Sequence, residues 1–369
     1  MLRRALLLPA LFAALAADAR AITVNTVYVG DVGNAADPAT GGIFGAVAYD
    51  YRIGQTEETI GQYTAFLNAV AATDSYGLYN TNMATDPAVA GIARAGTPGN
   101  YIYSTIGSPN KPITYVSWGD AARFSNWLHN GQPTGPQNAS TTENGAYPLN
   151  GAITDAALNS VVRSAGARWF LPTENEWYKA AYHQATSLGG DSDNYWTFPT
   201  RANSSPASDQ PPGLDAPNQA NAASFFSDDG LANSHNDGFA VTGLPGFDGN
   251  QNYLTEVGAY ALSISHYYTF DQGGSLEEWN ETLIDGTLRG LRGGSWIDLT
   301  VNLQASTRIS YAPTQEPSDF GFRVATVPEP SSLVLAALGL VGLVVWKRRR
   351  QSQWLDAGSE RRVGSFSAR

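Results

Sequence analysis

The chain has 369 residues, 43% hydrophobic and 15% charged, with a formal net charge of −11 and no cysteine. That hydrophobic content supports a sizeable buried core and excludes a disordered chain. Between residues 21 and 330, 12 basic side chains face 30 acidic ones, which argues against a nucleic-acid partner; without thiols no disulfide can hold the fold, so core burial, with metal ions where they bind, must suffice.

Residues 1–21, MLRRALLLPALFAALAADARA, set Arg3 and Arg4 before an apolar run from Ala5 to Ala17 and small residues at Ala17, Ala19 and Ala21. This is the pattern of a secretory signal peptide, and the run lacks the polar face that a surface helix of a folded core would carry. Residues 22–326 show no internal repeat and no linker, so they read as one domain. Three short helices are predicted in it. The first follows Thr59, whose capping-box partner is Gln62, and buries Ile60, Tyr63, Phe66, Leu67 and Val70 on one face. The second follows Ser117 with Asp120 as its partner, carries Ala121, Phe124, Trp127 and Leu128, and stops near Gly131. Thr173 and Glu176 cap the third, with Trp177, Ala180 and Ala181 inward. Strand-like runs precede the last two, at Ile113–Val116 and Arg168–Leu171. Elsewhere Gly, Asn, Asp, Ser and Pro prevail, above all from Gln184 to Gln251, so the fold class is α+β with much coil.

Toward the other end, Leu333 to Trp346 is apolar and is followed by Lys347, Arg348, Arg349 and Arg350. As a helix it spans about 21 Å, short of a hydrocarbon layer of about 30 Å, so Ser331, Ser332 and snorkelling cations complete the crossing. The cations place the tail inside and the domain outside. Val327 to Arg350 resembles the PEP-CTERM sorting signal, with Pro328-Glu329-Pro330, a transmembrane run and an arginine cluster. The resemblance implies a Gram-negative host, recognition by an exosortase-type sorting protease, transient anchoring in the membrane, and delivery to the cell surface or extracellular matrix. Residues 351–369 continue as a basic cytoplasmic tail beyond the point where such signals usually stop.

Four segments occur in order: YRIGQTEETIGQYTAFLNA from Tyr51, ITYVSWGDAARFSNWL from Ile113, RWFLPTENEWYKAA from Arg168, and FDQGGSLEEWNET from Phe270 with RGLRGGSW ending at Trp296. With the closing GFRVA, Gly321 to Ala325, they resemble the sulfatase-modifying-factor family, the formylglycine-generating-enzyme-like domain. That family implies a coil-rich variant of the C-type lectin fold and an oxygen-dependent oxidase whose copper is held by two thiolates. The family's thiols fall where Asp298 and Leu303 stand here, and the whole chain has no cysteine. Copper(I) selects soft sulfur, so neither copper nor the oxidation that depends on it is expected. Iron is not expected either, because His129, His183, His235 and His266 have no paired spacing.

The resemblance also implies structural calcium. One site takes the side chains of Asp271 and Glu278 with the carbonyls of Gly274 and Leu276; a second takes Glu57, Asn221 and the Ala222 carbonyl. Calcium wants six to eight oxygens, which such turns can offer. No catalytic or cofactor-binding residue is assigned. Trp118, Trp127, Trp177, Trp279 and Trp296 are expected in the core, Arg292 on a buried acid or carbonyl, and Glu176 in its cap. Two functions follow. The first is a non-catalytic exported module that binds a polysaccharide or another exported protein through the loops Gln184–Asn252 and Ile297–Asp319, with Tyr195, Trp196, Phe225, Phe226 and Tyr267 exposed to stack on sugars. The alternative is a metal-dependent oxidase of the same family acting on an exported substrate.

Overall fold

The three capped helices form the frame. In the computed structural model, which describes residues 21–327, they run Ile60–Val70, Trp118–His129 and Glu174–Tyr182, each opened by the capping box expected from its sequence. The Thr59 hydroxyl accepts from Gln62 N at 3.2 Å while Gln62 Oε1 accepts from Thr59 N at 2.7 Å, satisfying two otherwise orphaned donors. The stripes are buried as well: Phe66 meets Phe124 and Trp127 at ring-centroid distances of 5.3 Å, and Phe124 meets Phe322 edge-on at 5.3 Å. Two shorter helices, Asn82–Thr85 and Asp155–Asn159, were not predicted.

Two four-stranded sheets lie against these helices. The first, all antiparallel, has the order Thr26–Val29, Tyr51–Gly54, Ala325–Thr326, Trp169–Phe170. The second has the order Ile309–Tyr311, Leu288–Arg292, Glu277–Ile284, Phe320–Phe322, its last pair parallel. The GFRVA segment enters both sheets, and Arg323 and Val324 form the step between them. This step puts Arg323 fully inside.

One expected strand does not form. Ile113–Val116 is coil, because Tyr115 takes a left-handed conformation at φ 57° and its N–H bonds Pro317 O rather than a strand partner. Arg168–Leu171 narrows to the two residues Trp169–Phe170. From Gln184 to Gln251 only pairs of two or three residues are extended, Ala207–Ser208 with Ala222–Ala223 and Phe226–Asp228 with Asp237–Phe239. The coil-rich α+β class therefore holds. Among the described residues no helix is long and apolar enough to cross a membrane. The signal peptide, the transmembrane run and the basic tail lie outside the described residues.

Candidate functional site

Arg323 organises the first cluster. Its Nε and Nη2 donate to the two oxygens of Glu278 at 2.5 and 2.6 Å, and its remaining N–H groups reach Gly54 O and Phe270 O. Glu278 also accepts from Trp177 Nε1 at 2.8 Å, so both of its oxygens are engaged with protein donors. Asp271 Oδ2 accepts from Gly258 N at 2.6 Å. Glu57 is 1% exposed, and neither carboxyl oxygen has a partner. Burial, then the charges of Asp271 and Glu278, push Glu57 well above the usual carboxylate range against the pull of Arg323. Burial likewise pushes Asp271 up to about 6, opposed by Gly258 N–H and Arg323. The fold thus groups Glu57, Asp271 and Glu278 around one guanidinium, and the neighbouring Glu58, buried with both oxygens unpartnered and pushed up to about 8 by burial, also feels the Arg323 charge.

The other expected calcium ligands sit in ordered segments, and at Gly274 and Leu276 the expected ligand is the carbonyl, which the side-chain packing there does not engage. Gly274 sits at φ 81°, and a Cβ there would lie 2.3 Å from Ser224 O, so the turn itself requires glycine. Leu276 is buried in an aromatic cluster with Trp296 and Tyr253. The Asn221 side chain accepts from the Thr200 hydroxyl and donates to Ser204 O and Ser205 O. Ala222 and Asp271, assigned above to different sites, line one small cavity of about 10 Å³ together with Thr200, Ser263 and Gln272. Among the described residues no group of three or more His, Cys, Asp or Glu side chains is placed to hold a metal ion.

At the thiol positions, Leu303 is fully buried against Phe198, Ala223 and Phe225, with its carbonyl accepting from Tyr182 OH. Asp298 accepts from Ser295 N, Ser295 Oγ and Asn302 Nδ2 at 2.9, 2.7 and 3.0 Å. Ser295 Oγ is also 3.0 Å from Asp319 Oδ2. Glu277, 1% exposed, lies behind them with one unpartnered oxygen, pushed up well above its ordinary range by burial and then by Asp298 and Asp319. Sequence reasoning missed this group: Ser295 and Asp298 look like a local cap, and no spacing links them to Glu277 or Asp319.

Of the four histidines, His183 and His266 approach one another: their rings flank Tyr267 at centroid distances of 6.1 and 4.9 Å, and both feel the charge of Asp31. His183, 3% exposed, shares a hydrogen bond with Tyr267 OH at 2.7 Å, holds Nε2 3.3 Å from Asp31 Oδ2, and is pushed down to about 4 by burial. His129 Nδ1 accepts from Arg168 N, while His235 is half-buried on a loop. The predicted tryptophans are buried, and Arg292 donates to Glu174 at 2.8 Å and to Ala305 O and Thr307 O. The aromatic surface needs correction: Tyr195, Phe225 and Tyr267 are buried, because they pack into the domain's own interior, while Trp196 and Phe226 are half-buried. Tyr195 and Trp196 also line an open cavity of about 350 Å³ whose walls include Asp191, Asp193 and Asn203 from one predicted loop and Ser306 from the other.

Residues 45–327 match the family described as Sulfatase-modifying factor enzyme 1-like domain, and residues 326–350 match the PEP-CTERM protein-sorting motif. No curated protein matches the chain. Among solved structures, CarF is similar at 19% identity and TM-score 0.41, covering 83% of this chain and 99% of its own. Treponema denticola variable protein 1 is similar at 17% identity and TM-score 0.41, covering 82% and 95%, and PvdO from Pseudomonas aeruginosa at 15% and 0.40, covering 83% and 92%. The sorting motif marks an exported, cell-envelope-associated protein handled by an exosortase-type system. The chain belongs to the sulfatase-modifying-factor family, the formylglycine-generating-enzyme-like domains, and has their coil-rich variant of the C-type lectin fold.

Proposed function

We propose that this exported domain binds a polysaccharide of the cell surface or extracellular matrix and does not perform the thiol-dependent oxidation of its family. The observation that carries the reading is the cavity of about 350 Å³ where the two long loops meet. Trp196 offers a half-buried indole whose N–H is already satisfied by Gln184 at 3.0 Å, leaving its face for a sugar ring. Asp191, Asp193 and Asn203 supply polar edges, and no lysine or arginine lines the cavity. That lining favours neutral or amino sugars over uronic acids. Before processing, the apolar run Leu333 to Trp346 would hold the protein in the membrane of a Gram-negative host.

The test is a glycan array followed by calorimetry on the best ligand. Trp196→Ala is expected to weaken binding at least about 10-fold, the loss of one stacking contact, without changing the melting temperature. Silence across the array, or full affinity in the variant, would refute the pocket.

Calcium enters the same proposal. With Glu57 and Asp271 deprotonated, Glu57, Asp271 and Glu278 would bring three negative charges to one guanidinium, and a single divalent cation would balance the remaining two. Glu278 does not fit as a ligand because Arg323 and Trp177 take its oxygens. Glu57, with both oxygens unpartnered, and the adjacent Asp271 do fit; when bound, the ion would neutralise them and stiffen the turn after Phe270.

A further inference from the structure

The cavity around Trp196 has a neighbour. Asp37 and Thr40 line the first cavity, while Ile43 and Phe44 of the same turn line a second of about 530 Å³. Asp37 N donates to Phe44 O at 2.9 Å and closes that turn between them. Their other common wall is one short run of chain, with Ala305 and Ser306 on the first cavity and Arg308 on the second. At no more than about 3.6 Å per residue, the step from Ser306 to Arg308 separates these walls by at most about 7 Å.

The two linings differ in charge. The first carries Asp37, Asp191 and Asp193 and no cation, whereas the charges of the second are Glu174 and Arg308. Glu174 Oε1 accepts from Arg292 Nε at 2.8 Å and Arg308 Nε at 3.0 Å, and its Oε2 accepts from Arg308 Nη2 at 2.5 Å. One carboxylate between two guanidiniums leaves a positive charge over. Arg292 holds its share behind the ring of Phe44, 4.4 Å from the centroid, buried and with Nη2 unpartnered. Behind Tyr49, the buried Glu176 accepts from the Tyr49 hydroxyl at 2.7 Å and faces Arg163 at 3.6 Å; Glu281 takes the other arm of Arg163 at 3.1 Å. The side chain of Glu174 is 4% exposed and that of Arg308 35%, so Arg308 is the charge of this lining that meets solvent. It spends Nε and one Nη2 hydrogen on Glu174, which leaves Nη1 and the second Nη2 hydrogen as a free fork, the edge that a carboxylate bridges.

The rest of the lining offers donors and ring faces. Asn175 Oδ1 accepts from Gly45 N at 2.9 Å, which leaves its Nδ2, and Thr282 Oγ1 accepts from Glu174 N at 2.9 Å, which leaves its hydrogen. Phe44 is half-buried and Tyr49 is 45% exposed. Free donors, an outward guanidinium and aromatic faces together complement an anion carried on a partly apolar ring. We propose that this second cavity is a subsite for a uronic acid, its carboxylate on the free fork of Arg308 and its ring against Phe44 and Tyr49. The ligand of the domain is then a heteropolysaccharide in which a uronic acid neighbours the neutral or amino sugar held at Trp196. The proposal rests on the polysaccharide reading above and narrows its ligand class.

The experiment is calorimetry on the purified protein with oligosaccharides of hyaluronan, heparosan and glucuronoxylan, each beside its carboxyl-reduced form, in which the uronic acid has become a neutral sugar. At least one of the three is expected to bind, and reduction of its carboxyl to weaken binding at least about 10-fold, the loss of one charge-assisted fork. This comparison needs no variant. Arg308→Gln should cost the acidic ligand the same factor, flatten the salt dependence of its binding, and leave the affinity for the reduced ligand unchanged. No binding by any of the three, equal affinity for acidic and reduced forms, or an Arg308→Gln loss that is the same for both forms would overturn the proposal. Binding that depends on Trp196 and ignores carboxyl reduction sinks this subsite alone. Binding that depends on the carboxylate and on Arg308 but survives Trp196→Ala keeps the uronic-acid subsite and sinks the Trp196 pocket.

Discussion

Replacing Arg323 by leucine tests the electrostatic frame of the domain. The guanidinium is fully buried, gives Glu278 two charge-assisted hydrogen bonds at 2.5 and 2.6 Å, and ties down Gly54 O and Phe270 O at 3.1 and 2.9 Å. Its removal leaves Glu278 with only the Trp177 N–H and strips Glu57 and Asp271 of their compensating charge. Breaking a buried pair in this way costs about 3–5 kcal/mol, and the two orphaned carbonyls add to the loss. For a domain of this size that lowers the melting temperature by roughly 5–10 °C. Urea unfolding at about pH 7.5 and pH 4.5 measures it, the deficit shrinking in acid as protonation discharges the carboxyls that lost their partner. Arg323→Leu/Glu278→Leu should recover a good part of the loss, because no buried charge is then left without its counter-ion. A deficit below about 1 kcal/mol, or one equal at both pH values, would show that the Arg323 cluster does not govern stability as argued.

Chelation should lower the melting temperature at about pH 8 by several degrees, calcium but not sodium should restore it, and the effect should fade near pH 5, where Asp271, pushed up to about 6, takes up its proton; calorimetric melts that ignore chelator at pH 8 would remove calcium from the account. Metal-free protein should also be more stable near pH 5 than near pH 8.5. Burial pushes Glu316 up to about 8, Glu281 up to about 7 and Asp120 up to about 6, and a raised carboxyl contributes stability that is complete below the unfolded value and lost as pH rises through the folded one. Glu316→Gln keeps the Asn80 hydrogen bond and should narrow that difference by about 2 kcal/mol after allowance for its partial exposure; a pH profile identical to the parent's would count against the assignment.

The three helices were legible because a capping box is a local device: Thr59 with Gln62, Ser117 with Asp120 and Thr173 with Glu176 satisfy backbone donors within one turn, whatever packs outside. The core tryptophans and the partners of Arg292 were legible for a related reason, since large rings and an always-charged group have few affordable environments. The coil-rich α+β class followed from composition, and the family from the order of its motifs. Ile113–Val116 failed as a strand because a tertiary contact, Tyr115 N to Pro317 O, outweighed its β propensity. Glu278 looked free to bind calcium in its turn, and only the step of Arg323 between two sheets shows where its oxygens go. Tyr195, Phe225 and Tyr267 looked like surface aromatics in a polar loop, yet hydrophobic burial drew them inward. Local hydrogen bonding and residue chemistry were thus set by the sequence itself, while the meetings of Glu57 with Asp271 and of Asp298 with Asp319 exist only because the tertiary fold brings distant charges into the same poorly solvated space.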